Sequence, residues 1–166
     1  MSRPDKKGRA AAVICRIIGT LILVFVILTF LPVTVPRWMG YEVYGVVSGS
    51  MEPMIPVGSI VYVKPAEGED ISVGEVIAYS GGGAPIVHRV IENHPDEKEL
   101  ITKGDANDTK DLTPIPYQQV IGRVTKHFPV IGNLLMVWSG SLGKILLLCL
   151  AVSGALFNII AGRLSR

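Results

Sequence analysis

Charge is missing from two long stretches of this 166-residue chain, and cysteine is almost missing from the whole of it. Ile17 to Val35 runs for nineteen residues without an acid or a base, and Ile145 to Ala161 for seventeen. The two cysteines, Cys15 and Cys149, lie in or beside these runs, so the segment between them has no thiol. That segment therefore folds without a disulfide, and thiol catalysis in it is excluded. Acids are absent from residues 141–166, which hold Lys144, Arg163 and Arg166, and residues 1–35 have five bases against Asp5 alone. Residues 36–140 reverse the balance, with thirteen acids against eight bases. Net positive charge at the ends alone, with a net acidic middle, excludes a nucleic-acid-binding surface.

An uncharged run of this length is enough to cross about 30 Å of hydrocarbon. A cleaved signal peptide has an apolar part of only about 7–15 residues and ends in a small-residue site. The first run ends instead in Leu31-Pro32-Val33-Thr34-Val35-Pro36-Arg37-Trp38, with an interfacial tryptophan. It is read as a retained anchor. The second run, ILLLCLAVSGALFNIIA, is apolar on all sides and so has no polar face for a helix of a water-soluble domain. Arg16 and Lys144 can snorkel at the starts of the two runs. The positive-inside rule puts both basic ends in the cytoplasm. The expected organisation is a basic arm over 1–16, a transmembrane helix over 17–35, an outward domain over 36–140, a second transmembrane helix over 141–162 and a cytoplasmic tail over 163–166. The protein would thus sit in the cell membrane as a two-pass chain.

Between the anchors the pattern is β. Tyr41–Ser48, Ser59–Lys64, Gly74–Ser80, Ile86–Glu92, Leu100–Lys103 and Val120–Lys126 are short runs rich in Val, Ile and Tyr, separated by Gly, Pro, Asn and Asp. Without crossover helices the strands should pair antiparallel. The predicted fold class is mainly β, an antiparallel sheet domain flanked by two transmembrane helices. Gly81-Gly82-Gly83-Ala84-Pro85 reads as a hairpin loop, because no helix N-terminus follows to make it a phosphate loop. Met39, Met51, Met54 and Ile55 fit either a core or an apolar rim against the bilayer.

One segment combines features that ordinary loops seldom share: Val47-Ser48-Gly49-Ser50-Met51-Glu52-Pro53-Met54-Ile55-Pro56. If Tyr44 to Ser50 is extended, Ser48 and Ser50 project to the same side. Gly49 leaves the backbone open to close approach, and Pro53 and Pro56 stiffen the exit. A nucleophile with a neighbouring oxyanion donor has this arrangement. A plain Ser/Gly/Pro turn between strands has it too.

A serine hydroxyl needs a base. His94 sits in a polar loop, and His127 precedes Phe128-Pro129, where packing is the expected role. His88 lies inside the apolar strand Ile86-Val87-His88-Arg89-Val90-Ile91, on the side of Ile86 and Val90. It is either a satisfied core histidine or the base for Ser50, since an ordinary imidazole titrates in the range that suits proton transfer at neutral pH. The third feature is Lys103-Gly104-Asp105-Ala106-Asn107-Asp108-Thr109-Lys110-Asp111. Its alternating oxygen donors suggest a calcium loop, but the required Gly and Glu positions hold Lys110 and Pro116. No metal and no cofactor is expected. A carboxylate that orients the imidazole, or a solvated acidic turn, remains.

Taken in order, Ser48-Gly49-Ser50-Met51-Glu52-Pro53 with Pro56-x-Gly58-Ser59-Ile60-Val61-Tyr62-Val63, then Gly74-Glu75-Val76-Ile77-Ala78-Tyr79, Ile86-Val87-His88-Arg89-Val90-Ile91, Lys103-Gly104-Asp105-Ala106-Asn107-Asp108-x-x-Asp111, Ile121-Gly122-Arg123-Val124 and Phe128-Pro129-Val130-Ile131-Gly132 resemble the type I signal peptidases. The resemblance is to the Ser/His branch found in archaea, some Gram-positive bacteria and the endoplasmic reticulum. It covers roughly residues 40–135. It implies Ser50 as nucleophile, His88 as general base, and Asp105 and Asp111 as the family's two aspartates. Asp111 is the expected triad partner, and Asp105 the residue that orders the loop. The family pattern further implies an oxyanion hole made by the Ser50 N–H and the Ser48 hydroxyl. Ala106, where many relatives have Asn, is a departure that touches the loop's hydrogen bonding.

The implied activity is removal of signal peptides from exported preproteins. The substrate would lie extended along a strand edge, with small residues at the first and third positions before the cut. Its partners would be those signal peptides and the lipid bilayer. A catalytically inactive peptidase-like subunit that only binds signal peptides or partner proteins is the alternative, and such a chain would be expected to lack one of Ser50, His88 or the aspartates. A Ser/Lys peptidase would need Lys64, Lys103 or Lys110 as base, and none of these lies in an apolar strand that would lower its pKa. If an imidazole is the base, cleavage of a preprotein should rise with pH through about 6–7. A rate that stays flat from about pH 5 to 8 excludes a histidine base.

Overall fold

A computed structural model of the chain describes residues 6–129, 132 and 141–165. The chain divides into two compact units, one built from the two long helices and one, beginning at Val33, that holds the sheet.

In the first unit, helix α1 runs Lys6–Trp38 and helix α2 runs Ser141–Leu164. Both are long and apolar enough to cross a membrane. α1 continues through Pro32 and Pro36, three residues beyond the uncharged run. Each proline lacks an N–H and crowds the preceding turn, but without a competing hydrogen-bond partner the helix stays the best solution for its neighbours. The helices approach where side chains are smallest. A Cβ on Gly19 would lie 2.5 Å from Asn158 Nδ2, and one on Gly154 would lie 3.0 Å from the Gly19 carbonyl. Asn158 Nδ2 donates to the Gly154 carbonyl at 3.0 Å and Thr20 Oγ1 reaches Asn158 Oδ1 at 3.4 Å. This is how apolar helices associate, by close backbone approach and polar side chains.

The second unit is a seven-stranded sheet: β1 (Glu42–Gly45), β2 (Ile60–Pro65), β3 (Val76–Ser80), β4 (Pro85–His94), β5 (Glu99–Lys103), β6 (Ile115–Pro116) and β7 (Val120–Phe128). The spatial order is β1-β2-β7-β3-β4-β5-β6, and every pairing is antiparallel. The expected antiparallel β domain with two apolar helices is the observed architecture. The register shifts between Tyr62 and Val63, Ala78 and Tyr79, and Val90 and Glu92. Such irregularities bend and coil a sheet. Both faces of the curled sheet are apolar. Val46, Met51, Ile55, Val61, Val63, Val76 and Ala78 form one cluster, and Ile71, Ile77, Tyr79, Val90, Leu100 and Ile115 form the other. β3 contributes to both, which explains its unbroken apolar sequence Val76-Ile77-Ala78-Tyr79.

Three expectations need correction. The first strand stops at Gly45 rather than Ser48, so Ser48 and Ser50 lie in turns and not on an extended strand. Prolines at 53 and 56 have no N–H to continue a ladder. Strand β4 extends to His94, so that histidine closes a strand opposite Glu99 instead of sitting in a loop. The two-residue β6 was not anticipated, because Pro114 precedes it and Pro116 lies within it. Of the methionine group, Met51 and Ile55 are core residues, whereas Met39 and Met54 are exposed. Val130 and Ile131 of the last quoted motif, the first five residues of the basic arm, the end of the outward domain near residue 140, and Arg166 lie outside the described residues.

Gly122 shows how tightly β2 and β7 are joined. A Cβ there would meet the Lys64 carbonyl oxygen at 2.1 Å, a backbone atom that cannot swing away. Gly122→Ala should therefore cost about 1–3 kcal/mol, read as a melting temperature lowered by several degrees in detergent. An unchanged transition would show that the strands part freely there.

Candidate active site

The Ser50 turn is held from both sides. The Glu52 N–H donates to the Gly49 carbonyl at 3.0 Å and the Ile55 N–H to the Met51 carbonyl at 2.8 Å, so the segment closes on itself. Met51 and Ile55, each 1% exposed, anchor it in the core. Ser50 is half-buried and Ser48 exposed, and their hydroxyl oxygens are 3.4 Å apart. The two hydroxyls therefore face one another even though the strand geometry that suggested it is absent.

His88 is buried on β4, opposite Ile77, with its ring edge-on to Tyr79 at 6.3 Å between centroids. Its Nδ1 is 2.7 Å from Asp111 Oδ2. Asp111 Oδ2 also accepts from Thr102 Oγ1 at 2.6 Å, and the Asp111 N–H donates to the Thr102 carbonyl at 2.9 Å. A carboxylate on Nδ1 leaves Nε2 as the ring nitrogen free to take a proton.

Asp105 does something different. Its two oxygens take the Arg89 guanidinium in a fork, Nε at 2.8 Å and Nη2 at 2.7 Å. Arg89 Nη1 also donates to the Gly74 carbonyl at 2.8 Å, and Nη2 reaches Met54 Sδ in the Ser50 turn. The hydrogen bond that Arg89 donates to Asp105 is the main reason the Arg89 pKa is raised, so this cation is permanent. Arg89 was not picked out in the sequence. Its signal is a charged residue in an apolar strand directly after the histidine.

The loop after β5 is where these pieces meet. The Ala106 N–H donates to the Ser50 carbonyl at 2.9 Å, while the same loop carries Asp105 to Arg89 and Asp111 to His88. Ala106 thus contributes a main-chain bond that its side chain does not affect. Val87, beside His88, packs against the cluster that contains Met51, beside Ser50. Among the described residues no hydrogen bond joins Ser50 to His88. In free enzymes such contacts are often long and tighten only when substrate is bound.

The other residues weighed in the sequence stay apart from this cluster. His94 Nε2 and Lys110 Nζ both contact Glu92, at 3.1 Å and 2.9 Å, and Lys110 followed by His94 holds that exposed carboxyl below its ordinary pKa. His127 lies on β7 opposite Val61. Lys103 pairs with Arg89 across β4 and β5, and Lys64 is exposed. Among the described residues no group of three histidine, cysteine or carboxylate side chains is placed to hold a metal ion.

A serine turn, an imidazole–carboxylate pair and an antiparallel curled sheet are parts that a hydroxyl-nucleophile hydrolase uses. The Peptidase S24-like family matches residues 40–125, which is more than half of the chain, and the chain belongs to that family. Curated relatives narrow the likeness. The chain is 38% identical over 99 residues to the signal peptidase complex catalytic subunit SEC11 of Candida tropicalis, covering 52% of this chain and 59% of that protein. It is 35% identical over 99 residues to the SEC11 subunit of Clavispora lusitaniae, with the same coverage. It is 34% identical over 106 residues to that of Saccharomyces cerevisiae, covering 56% of this chain and 62% of the relative. The chain thus spans about three fifths of the length of these relatives.

Gly104 tests whether the loop sets the Ser50 turn. A Cβ there would lie 2.6 Å from the Ser50 carbonyl oxygen and 2.8 Å from Asn107 Nδ2. Gly104→Ala should displace the Ser50 turn and cut kcat/KM by about a hundredfold, as a 1 Å misplacement does. Wild-type kinetics in this variant would separate the loop from the chemistry.

Proposed function

We propose that this chain is a membrane-anchored serine endopeptidase that removes signal peptides from exported preproteins. The observation that carries the reading is the His88–Asp111 pair at 2.7 Å on a loop that also binds the Ser50 carbonyl. In the reaction, Ser50 Oγ attacks the carbonyl carbon before the scissile nitrogen while His88 Nε2 takes its proton. Asp111 keeps the ring in the tautomer with Nδ1–H and offsets the charge of the imidazolium. The tetrahedral oxyanion is held by the Ser50 N–H and the Ser48 hydroxyl, whose oxygen is 3.4 Å from that of Ser50. Collapse expels the amine, which receives the proton from His88, and water repeats the cycle on the acyl-enzyme.

Substrate specificity follows from the chemistry of exported chains. The stretch before the cut lies extended and presents alternate side chains to the site, with small residues at the first and third positions. The two apolar helices hold the sheet unit at the membrane, in a two-pass arrangement with both basic ends cytoplasmic and residues 36–140 extracytoplasmic. The intact set Ser50, His88, Asp105 and Asp111 disfavours the non-cleaving alternative.

Detergent-solubilised protein incubated with a preprotein bearing an Ala-x-Ala site, with the new N-terminus read by mass spectrometry, tests this. Ser50→Ala and His88→Ala should each lower the rate by about 10⁶, and Ser48→Ala by only about 10²–10³. Processing by Ser50→Ala at a measurable fraction of the wild-type rate would end the assignment.

A further inference from the structure

We infer that Thr102 is a positioning residue for the reaction, fixing Asp111 against His88 through its hydroxyl and its main chain together. The inference rests on the Ser50–His88–Asp111 reading and adds a residue to it.

The argument begins with a misfit. β5 alternates, with Leu100 and Thr102 facing inward at 0% exposure and Glu99, Ile101 and Lys103 half-buried. At such a position valine has the same shape and no hydroxyl to satisfy. A hydroxyl taken out of water without a partner costs stability, so its presence calls for a polar role. The partner is Asp111 Oδ2 at 2.6 Å, the same oxygen that lies 2.7 Å from His88 Nδ1.

A carboxylate only accepts, so the threonine O–H must point at Asp111. Two donors, the Thr102 O–H and the His88 N–H, therefore meet at one oxygen.

The second grip is the main chain. The Asp111 N–H donates to the Thr102 carbonyl at 2.9 Å. Asp111 sits at the far end of a loop that begins at Gly104, and a carboxylate on a loop has χ1 and χ2 to lose. Bonds from one fully buried residue to both its backbone and its side chain remove most of that freedom. The hydroxyl thus keeps Oδ2 where the imidazolium will form, which is preorganisation in the strict sense.

The test uses the full chain in detergent with the Ala-x-Ala preprotein. Thr102→Val, which keeps the shape, should lower kcat by about 10- to 100-fold, the worth of one hydrogen bond to a charged group. KM should stay within about twofold, because no substrate contact is lost. Thr102→Ser should recover most of the lost rate. In an Asp111→Asn background the same Thr102→Val change should have little further effect, since the residues act as a unit.

Wild-type kcat in Thr102→Val overturns the inference, as does a Thr102→Ser variant no better than Thr102→Val, or full additivity with Asp111→Asn. If Thr102→Val fails to fold, Thr102→Cys keeps the volume with a weaker donor and is read the same way. Ser50→Ala run beside these separates the two proposals. Activity in Ser50→Ala removes the catalytic reading itself, whereas an inactive Ser50→Ala with an unimpaired Thr102→Val removes Thr102 alone.

Discussion

The structure turns on a single carboxylate oxygen, Asp111 Oδ2, which serves His88 and Thr102 at once. Both partners are buried in the sheet, and among the described residues each directs its side-chain hydrogen bond to Asp111. A buried polar group without a hydrogen bond is costly. The loop after β5 must therefore fold back so that Asp111 covers them. Folding back carries Ala106 past the Ser50 carbonyl and Asp105 onto Arg89. Satisfying a buried imidazole and a buried hydroxyl thus also fixes the turn that carries Ser50.

The rest of the sheet makes that closure possible. β3 is apolar on both faces and joins two clusters, so the strands on either side of it, β7 and β4, are held at a fixed curl. Met51 inserts beside Val61, Val63 and Ala78, which keeps the Ser50 turn on the β2 side of the sheet. Arg89, reaching Gly74, Met54 and Asp105 from β4, ties three chain segments that are distant in sequence. Rigid contacts of this kind are what the proposed hydrolysis needs, since a displaced nucleophile loses rate steeply.

Much of the fold could be read from residue types. Val, Ile and Tyr runs separated by Gly and Pro marked the strands, and the charge-free runs marked the helices. What could not be read is informative. The extent of β1 was overestimated because Val46 and Val47 are good strand formers, while the prolines that forbid a ladder come later. α1 outran its expected end because a proline lacks one N–H and crowds the preceding turn, and nothing in the sequence says whether the helix survives this. The Ser48–Ser50 contact arose from a turn, although strand alternation was the stated reason for expecting the two hydroxyls together. The candidate residues were visible mainly as an ordered set of motifs. Thr102 was invisible, because threonine in a strand looks like an ordinary β-branched residue until its hydroxyl is seen to face inward.

The two aspartates show how environment separates identical side chains. Asp105 is matched by a guanidinium that never loses its charge, in a fork that uses both oxygens. Its negative charge is spent before any reaction begins, and a proton arriving on His88 changes little for it. Asp111 is held by a neutral hydroxyl and an imidazole, so its charge is uncompensated while His88 is neutral. In the proposed reaction His88 takes a proton from Ser50, and a new cation then appears 2.7 Å from that carboxylate. The interaction is therefore stronger in the charged transition state than in the ground state, which is the condition for lowering a barrier. On this ground Asp111 is the member of the pair that works in the reaction we propose, and Asp105 is the one that builds the loop on which it stands.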